Sequence, residues 1–457
     1  MVAIKTYQDL IEVGDGDRER KDFVISVMND HKCSQAYKDA RIAQDYYSGV
    51  NTTITGYNKY IRDAFGKQIE DIWSPNHKIA CRYYAYLVNQ LALFLLGNGV
   101  SFNEQSTKDK LGKNFDQVCV AILIDALNGG VAYGFANKDK VEHFSALEFA
   151  PLLDEETGYL RGGVRFWRLD DRKPLRLTLY EEDGYTEFIQ RNGEDLEILK
   201  PKRAYIQKVT TSDATGDISV EGMNYPTFPI VPLYNTNKQS ELKGNREAHD
   251  ALDMMMSGLV NNVDSGEVVY WLLKNSGGFD QVDMNRFIQT LKATHVAMID
   301  NEDDVTPHSP IVQFQASEAA IAQLRRQIFD NHMGFDAKQV QAGAATATEI
   351  RAAYEPLNAK TDLLEFHVTE FINGILAVFG IDDDPTYTRS YIINQNEAIQ
   401  TILSAGSDLP QEYKLKKILE ILGDIDRADE VLAMIQKEEM ERFEQAKMMA
   451  ELENTAG

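Results

Sequence analysis

The stretch from Thr346 to Gly380 limits the possible folds more than any other part of the chain. Its larger side chains recur at alternating steps of four and three residues, the spacing of one helical face. They are Ile350, Tyr354, Leu357, Thr361, Leu364, Val368, Phe371, Ile375 and Val378, and all but Thr361 are apolar. Thr346 and Glu349 have capping-box spacing, and Gly380 predicts the end of the helix. At a rise of 1.5 Å per residue the helix is about 50 Å long, and Pro356 predicts a kink in it. Such a helix is an architectural element.

The segment before this helix predicts another helix followed by a flexible loop. Ile321, Leu324 and Ile328 share one helical face in the stretch from 316 to 334. Residues 336–345 are mainly small or polar, and Val340 is their only sizeable apolar side chain. This loop therefore has little to bury.

The charge of the chain restricts its partners. Its 457 residues carry 71 acidic and 47 basic side chains, a formal net charge of −24. This balance argues against tight coating of nucleic acid by broad electrostatic attraction, but it is compatible with a protein that handles DNA without adhering to it. The three cysteines, far apart in the sequence, fit a reducing cytoplasm. The N-terminal residues do not have the pattern of a secretion signal, and the most apolar stretch, 83–96, is too short to cross a bilayer. That stretch belongs to a helix predicted from about Ile79 to Leu96, which Gly97-Asn98-Gly99 ends.

Between residues 131 and 231 the pattern changes to short β-type runs. The runs lie at 164–167, 175–180, 185–190, 196–199 and 205–209. Turn residues at Asp183-Gly184 and Asn192-Gly193 predict hairpins between neighbouring runs.

A further helix is predicted from Asn245 to Gly266, with Leu252, Met256 and Leu259 on one face. Between it and the helix at 316–334 lies a small acidic α/β insertion. Its acidic residues are Asp280, Asp283, Asp300, Glu302, Asp303 and Asp304. Two helices joined through such an insertion predict a hairpin stalk with a tip.

Motifs for catalysis or metal binding do not occur in the sequence. The eight histidines form no HExxH or other close pair with metal spacing. No GxSxG elbow, Walker sequence or CxxC is present, so we expect no enzymatic activity, no cofactor and no metal. Asp382-Asp383-Asp384-Pro385 reads as a turn and linker, since its acids do not alternate as in a calcium loop.

Several collinear stretches, taken together, resemble the portal proteins of tailed bacteriophages, of the long-tailed siphophage type. They are Tyr46-Tyr47-Ser48-Gly49, Asn76-His77-Lys78-Ile79, Tyr86-Leu87-Val88, Phe94-Leu95-Leu96-Gly97, the junction from Ala126 to Tyr133, Pro229-Ile230-Val231-Pro232-Leu233, the loop and helix start from Ala342 to Ala352, and Asn394-Gln395-Asn396-Glu397-Ala398. The resemblance covers most of the chain.

The resemblance implies an α+β, mainly helical portal-type subunit with a wing, a helical stem, a small α/β clip and a helical crown, assembling into a ring. The implied boundaries are 1–242 for the wing, 243–266 and 316–334 for the stem helices, 267–315 for the clip, 335–347 for the tunnel loop, 348–380 for the long kinked wing helix and 381–457 for the crown.

By the same resemblance, a dodecamer would form a channel at one capsid vertex of the virion, through which double-stranded DNA is packaged and ejected. The implied tunnel-loop residues are Lys338, Gln339, Val340, Gln341, Ala342 and Gly343, and Arg325 and Arg326 are candidates to face the channel. The six acidic residues of the insertion are candidates to face partners. Implied partners are further copies of the chain, the terminase large subunit, head-completion or adaptor proteins, and the major capsid and scaffolding proteins. No membrane is involved, and assembly takes place in the host bacterial cytoplasm.

Two other interpretations stay open at the level of sequence. One is another oligomeric assembly or scaffolding protein without a DNA channel, and the other is an enzyme of unrecognised type. The mixed wing-like region argues against a scaffold, because scaffolds are usually simpler helical chains.

Overall fold

The fold is α+β with a large helical share. A computed structural model describes residues 5–14, 16–62, 67–72, 74–211, 218–266, 270–273, 305–308, 314–340 and 347–390, and in the C-terminal part 399, 402–404, 410–422, 428, 430–435, 437 and 440. The helices are α1 Tyr7–Val13, α2 Asp17–Cys33, α3 Gln35–Tyr47, α4 Thr52–Thr55, α5 Tyr83–Leu96, α6 Gln105–Leu111, α7 Phe115–Gly129, α8 Arg246–Gly266, α9 Phe314–Asn331, α10 Ala337–Val340, α11 Ala347–Phe379 and α12 Gln411–Leu422, with a 3₁₀ turn at Thr236–Lys238.

The strands are antiparallel and pair mostly with their sequence neighbours. They are β1 Tyr60–Arg62, β2 Gln68–Glu70, β3 Val100–Phe102, β4 Val131–Asn137, β5 Lys140–Ser145, β6 Phe149–Leu153, β7 Leu160–Trp167, β8 Leu175–Glu181, β9 Gly184–Gln190, β10 Glu197–Arg203, β11 Ile206–Thr211, β12 Ile218–Met223, β13 Ile230–Tyr234, β14 Tyr270–Leu273, β15 Val305–His308 and β16 Pro385–Tyr387. The largest sheet has the order β10-β9-β8-β7-β6, a smaller one β13-β4-β5, and the pairs β1-β2, β11-β12, β14-β15 and β16-β3 complete the set.

The five-stranded sheet buries one face against the N-terminal helices. Phe23 and Val27 of α2 belong to one core cluster with Val164, Leu177 and Phe188 of the sheet. The hairpins predicted at 183–184 and 192–193 are confirmed, because β8 pairs with β9 and β9 with β10. Side chains alternate between the two faces of these strands, and the buried set faces the N-terminal helices.

Helix α11 packs tightly on the three-stranded sheet. A Cβ atom on Gly134 of β4 would collide with the Phe371 ring, and one on Gly374 of α11 would collide with Val231. Glycine at both positions lets helix and strands approach more closely than side chains allow. The predicted long helix is confirmed from Ala347 to Phe379, and it continues through Pro356.

The chain divides into two compact units. One comprises 1–336 and 354–390, and the other 337–353 and 391–457. The acidic residues of the predicted insertion, and most of the predicted crown, lie outside the described residues.

Two local expectations were wrong. The apolar helix predicted from Ile79 begins at Tyr83, and part of the predicted flexible loop is the one-turn helix α10. Asp383 is more than a linker residue, since its carboxylate accepts bonds from the Asn103 and Glu104 amides and the Thr107 hydroxyl at the start of α6. A carboxylate from a distant segment thus fixes the chain just before that helix.

Candidate functional site

The candidate site is the junction of α8, α9 and α11, where the chain enters the predicted tunnel loop. Helices α8 and α9 pack through Leu252 on one side and Ile328 and Phe329 on the other, with Leu87 of α5 completing the cluster. The apolar faces predicted around Leu252 and Ile328 are therefore confirmed. These helices pair because each carries one apolar stripe that burial stabilises.

A segment before α5 binds along α8 through its main chain. The amides of His77, Ile79 and Cys81 donate to Asn261 Oδ1 at 2.7 Å, Ser257 Oγ at 2.9 Å and Asp253 Oδ1 at 2.8 Å, respectively. Two residues of extended chain advance about 6.6 Å, and four residues of helix about 6.0 Å, so every second amide meets every fourth side chain.

This pairing explains the late start of α5. Backbone amides that donate to side chains of α8 cannot also donate within a helix. The predicted helix therefore begins only at Tyr83. Asp253 also accepts a bond from the Asn51 amide at 2.9 Å and is buried, which ties the N-terminal helices to the same face of α8.

A buried polar cluster joins the three helices. His249 of α8 and His332 beyond the end of α9 approach each other with their Nε2 atoms 3.1 Å apart. His332 Nδ1 lies 3.8 Å from the carboxylate of Glu241, which pairs with Lys360 of α11. The Lys360 ammonium also donates to the His332 carbonyl at 3.0 Å, so it satisfies a carbonyl at the helix end.

The electrostatics of this cluster follow from its burial. Desolvation, together with the neighbouring His332, lowers the pKa of His249 to about 3, and desolvation lowers the pKa of His332. Both rings are therefore neutral at pH 7, and one donates to the other. Burial raises the pKa of Glu241, but His332 and Lys360 outweigh it and hold the pKa at about 2.

The entrance to the predicted tunnel loop is firmly anchored. Gln90 of α5 accepts from the Phe335 amide at 2.9 Å and donates to the Phe335 carbonyl at 2.8 Å. The Phe335 ring stacks on Tyr354 with centroids 4.0 Å apart, and Asp336 pairs with Arg325 at 2.5 Å. Phe335 and Asp336, the first two residues of the predicted tunnel loop, are therefore buried, and the boundary of the loop at 335 stays a prediction.

Arg325 and Arg326 are placed differently. The Arg325 side chain is 19% exposed, pairs with Asp336 and lies 4.8 Å above the Phe329 ring. Arg325 therefore has partners within its own protomer, and its place facing a channel stays a prediction. Arg326 and Lys338 are exposed.

The other predicted loop residues are only partly described. Gln339 and Val340 lie in α10, and Gln341, Ala342 and Gly343 lie outside the described residues. The clip candidates Asp280, Asp283, Asp300, Glu302, Asp303 and Asp304 also lie outside them.

Sequence reasoning missed Gln90, Glu241, His249, His332 and Lys360. Each is an isolated polar residue, and only the fold brings them together. The polar series at 253, 257 and 261 on α8 was a visible signal, because it marks a helical face that needs hydrogen-bond partners.

Within the described ranges, no group of three or more His, Cys, Asp or Glu side chains is arranged to hold a metal ion. Among the same residues, none of the helices combines the length and apolar character that crossing a membrane requires.

Comparison with known proteins identifies the class. The model of the phage portal protein family of the SPP1 Gp6-like type matches residues 30–450. A portal protein of Clostridium phage phiCD119 is 28% identical over 382 residues, covering 73% of this chain and 77% of the relative.

Solved structures with a related chain include the neck of a native gene transfer agent particle computed with C12 symmetry, at 12% identity and a TM-score of 0.39, covering 73% of this chain and 87% of that one. The virion of the native gene transfer agent particle matches at 13% identity and a TM-score of 0.40, with the same coverage.

The chain belongs to the SPP1 Gp6-like family of phage portal proteins. It is a portal protein, a structural component of the virion at the capsid vertex with a role in DNA packaging and in head-to-tail connection.

Proposed function

We propose that this portal protein assembles into a ring of twelve copies around a channel for double-stranded DNA. In this arrangement α8 and α9 form the stem, residues 337–346 form the tunnel loop and α11 is the long wing helix. The observation that carries the proposal is the anchored loop entrance at Phe335 and Asp336, next to a stem pair joined by the buried cluster. A loop that moves against DNA needs a fixed base.

The charges of the loop and stem favour guidance over tight binding. Arg325, Asp336 and Lys360 are engaged inside the protomer, so they do not contribute to a lining. Arg326 and Lys338 are exposed cations of this region, on a chain of net charge −24. Few phosphate contacts mean little counterion release, and DNA then slides with little resistance.

We further propose the remaining partners from the family. Residues 267–315 form the clip that docks the terminase large subunit and later the head-completion or adaptor proteins. Residues 381–457 form the crown, and the wing contacts the major capsid and scaffolding proteins. Assembly takes place in the host bacterial cytoplasm.

The test is a loop variant in which Lys338, Gln339 and Gln341 are all replaced by alanine. We expect rings of normal appearance by negative-stain imaging, with reduced packaging or retention of DNA in the particles. Lys173→Ala, which removes an exposed cation between β7 and β8, is the matched control and should leave both unchanged. Normal packaging and retention by the triple variant would refute a DNA-facing loop, and a purified protein without rings would refute the assembly.

A further inference from the structure

A pocket of about 170 Å³ lies in the predicted wing, away from the stem. It is bordered by β4 and β5, by β8 and β9, and by the chain on either side of the β11–β12 hairpin. Four tyrosines contribute to its wall: Tyr180, Tyr185, Tyr205 and Tyr225. Of the described residues that line it, the only charged ones are the carboxylates Glu142 and Glu187.

The tyrosine rings form a continuous group. Tyr185 and Tyr205 are stacked with centroids 5.5 Å apart, Tyr180 lies 6.0 Å from Tyr185, and Tyr225 lies 6.1 Å from Tyr205. Ring faces carry partial negative charge and attract cations. One such cation–π contact is present within the protein, since the Arg203 guanidinium lies 4.7 Å from the centroid of the Tyr185 ring.

Glu142 retains capacity for a ligand. Lys140 Nζ at 2.7 Å and Asn137 Nδ2 at 3.1 Å both bind Oε1, and Oε2 has no hydrogen bond to any described residue. Burial raises the pKa of Glu142, but the bonds from Lys140 and Asn137 outweigh it, so the pKa is below its ordinary value. The group is therefore ionised at neutral pH.

The lysine pairs at the pocket are weak enough to exchange. Lys140, which pairs with Glu142, has a side chain 59% exposed, and Lys200, which pairs with Glu187, has one 49% exposed. Pairs this exposed contribute little to stability, so an incoming cation competes with them at small cost. Glu187 also pairs with Arg203, whose side chain is 30% exposed, so Glu142 is the carboxylate that a ligand reaches more easily.

We propose that this pocket binds an organic cation with an ammonium or guanidinium group. Tyrosine faces attract the charge, the carboxylates accept its N–H groups, and the cavity is large enough for the end of a lysine or arginine side chain. The cation has two possible sources, a basic side chain of a partner protein or a free polyamine, and both present the same chemistry. The site does not depend on the ring or the channel.

The experiment titrates the purified full-length chain with three cationic probes and follows tyrosine fluorescence. The probes are N-acetyl-lysine methylamide, N-acetyl-arginine methylamide and putrescine, with N-acetyl-norleucine methylamide as the neutral control. We expect saturable binding of at least one cation and none of the norleucine derivative. Stronger binding of putrescine than of the amino-acid derivatives assigns a polyamine, and the reverse order assigns a partner's side chain.

Glu142→Gln keeps the shape of the side chain and should weaken binding at least about fivefold, the ratio for loss of roughly 1 kcal/mol. Glu182→Gln is the matched control, since Glu182 is exposed in the turn between β8 and β9, pairs with Arg161 and does not line the pocket. Thermal melting verifies that both variants fold. Equal binding of the norleucine derivative, unchanged affinity in Glu142→Gln, or no saturable binding of any of the three cations would overturn the proposal.

Discussion

Acidification should weaken the fold through the His249–His332 pair. A histidine whose pKa is lower in the folded state than in the unfolded chain stabilises the fold fully only above its unfolded pKa. That stability is lost as the pH falls toward the folded pKa. For His249 these values are 6.5 and about 3, so the loss begins just above pH 6 and continues downward.

The magnitude follows from the size of the pKa shift. Each pH unit below 6.5 lowers the free energy of unfolding by about 1.4 kcal/mol. Protonation of His249 should therefore lower it by about 2 kcal/mol between pH 7 and pH 5. Glu241, whose pKa is lowered from 4.5 to about 2, loses its contribution only below about pH 4.5. Within this cluster, the interval from pH 7 to pH 5 therefore reports on the histidines.

Urea unfolding of the purified chain at pH 7, 6 and 5 measures this effect. His249→Gln removes the titrating ring and keeps a neutral donor, so its free energy of unfolding should fall by about 2 kcal/mol less than that of the unchanged chain over this interval. His77→Gln is the matched control, since His77 is half exposed and pairs with Asp264 outside the cluster. Equal losses in His249→Gln and the unchanged chain would refute the assignment.

Two further predictions concern stability of the protomer. Gly334→Ala would place a Cβ atom against Leu87, so it should lower the free energy of unfolding by about 1–3 kcal/mol in urea. A Cβ atom on Gly258 would meet no atom within 4 Å, so Gly258→Ala should instead raise the free energy of unfolding by up to about 1 kcal/mol, because alanine favours a helix interior. A change of the same sign in both variants would contradict the packing of Gly334 against Leu87. Asp253→Ala leaves the half-buried Cys81 amide without its acceptor and should lower the free energy of unfolding by about 1–3 kcal/mol, with faster amide hydrogen exchange at Cys81. Unchanged exchange there would argue against the bond to α8.

Local periodicity was sufficient to predict much of the fold. Helix α11, the individual helices α8 and α9, and the hairpins of the five-stranded sheet all follow from patterns within about 30 residues. Such elements are predictable because each apolar stripe needs burial whatever covers it.

The start of α5 and the entrance to the tunnel loop depended on tertiary contacts. The residues from 77 to 81 have helical neighbours, yet their amides bind side chains of α8 almost two hundred positions away. Phe335 and Asp336 read as part of a flexible loop, yet Gln90, Tyr354 and Arg325 bury both.

The buried cluster of Glu241, His249, His332 and Lys360 shows the same limit most clearly. None of these residues stands in a motif, because a histidine or lysine in a helix is solvated unless the fold covers it. Periodicity predicts which helix faces are apolar, but it does not predict which polar groups come into contact between the helices. The packing of three helices brought these four charges and rings together, and burial then made hydrogen bonding among them necessary.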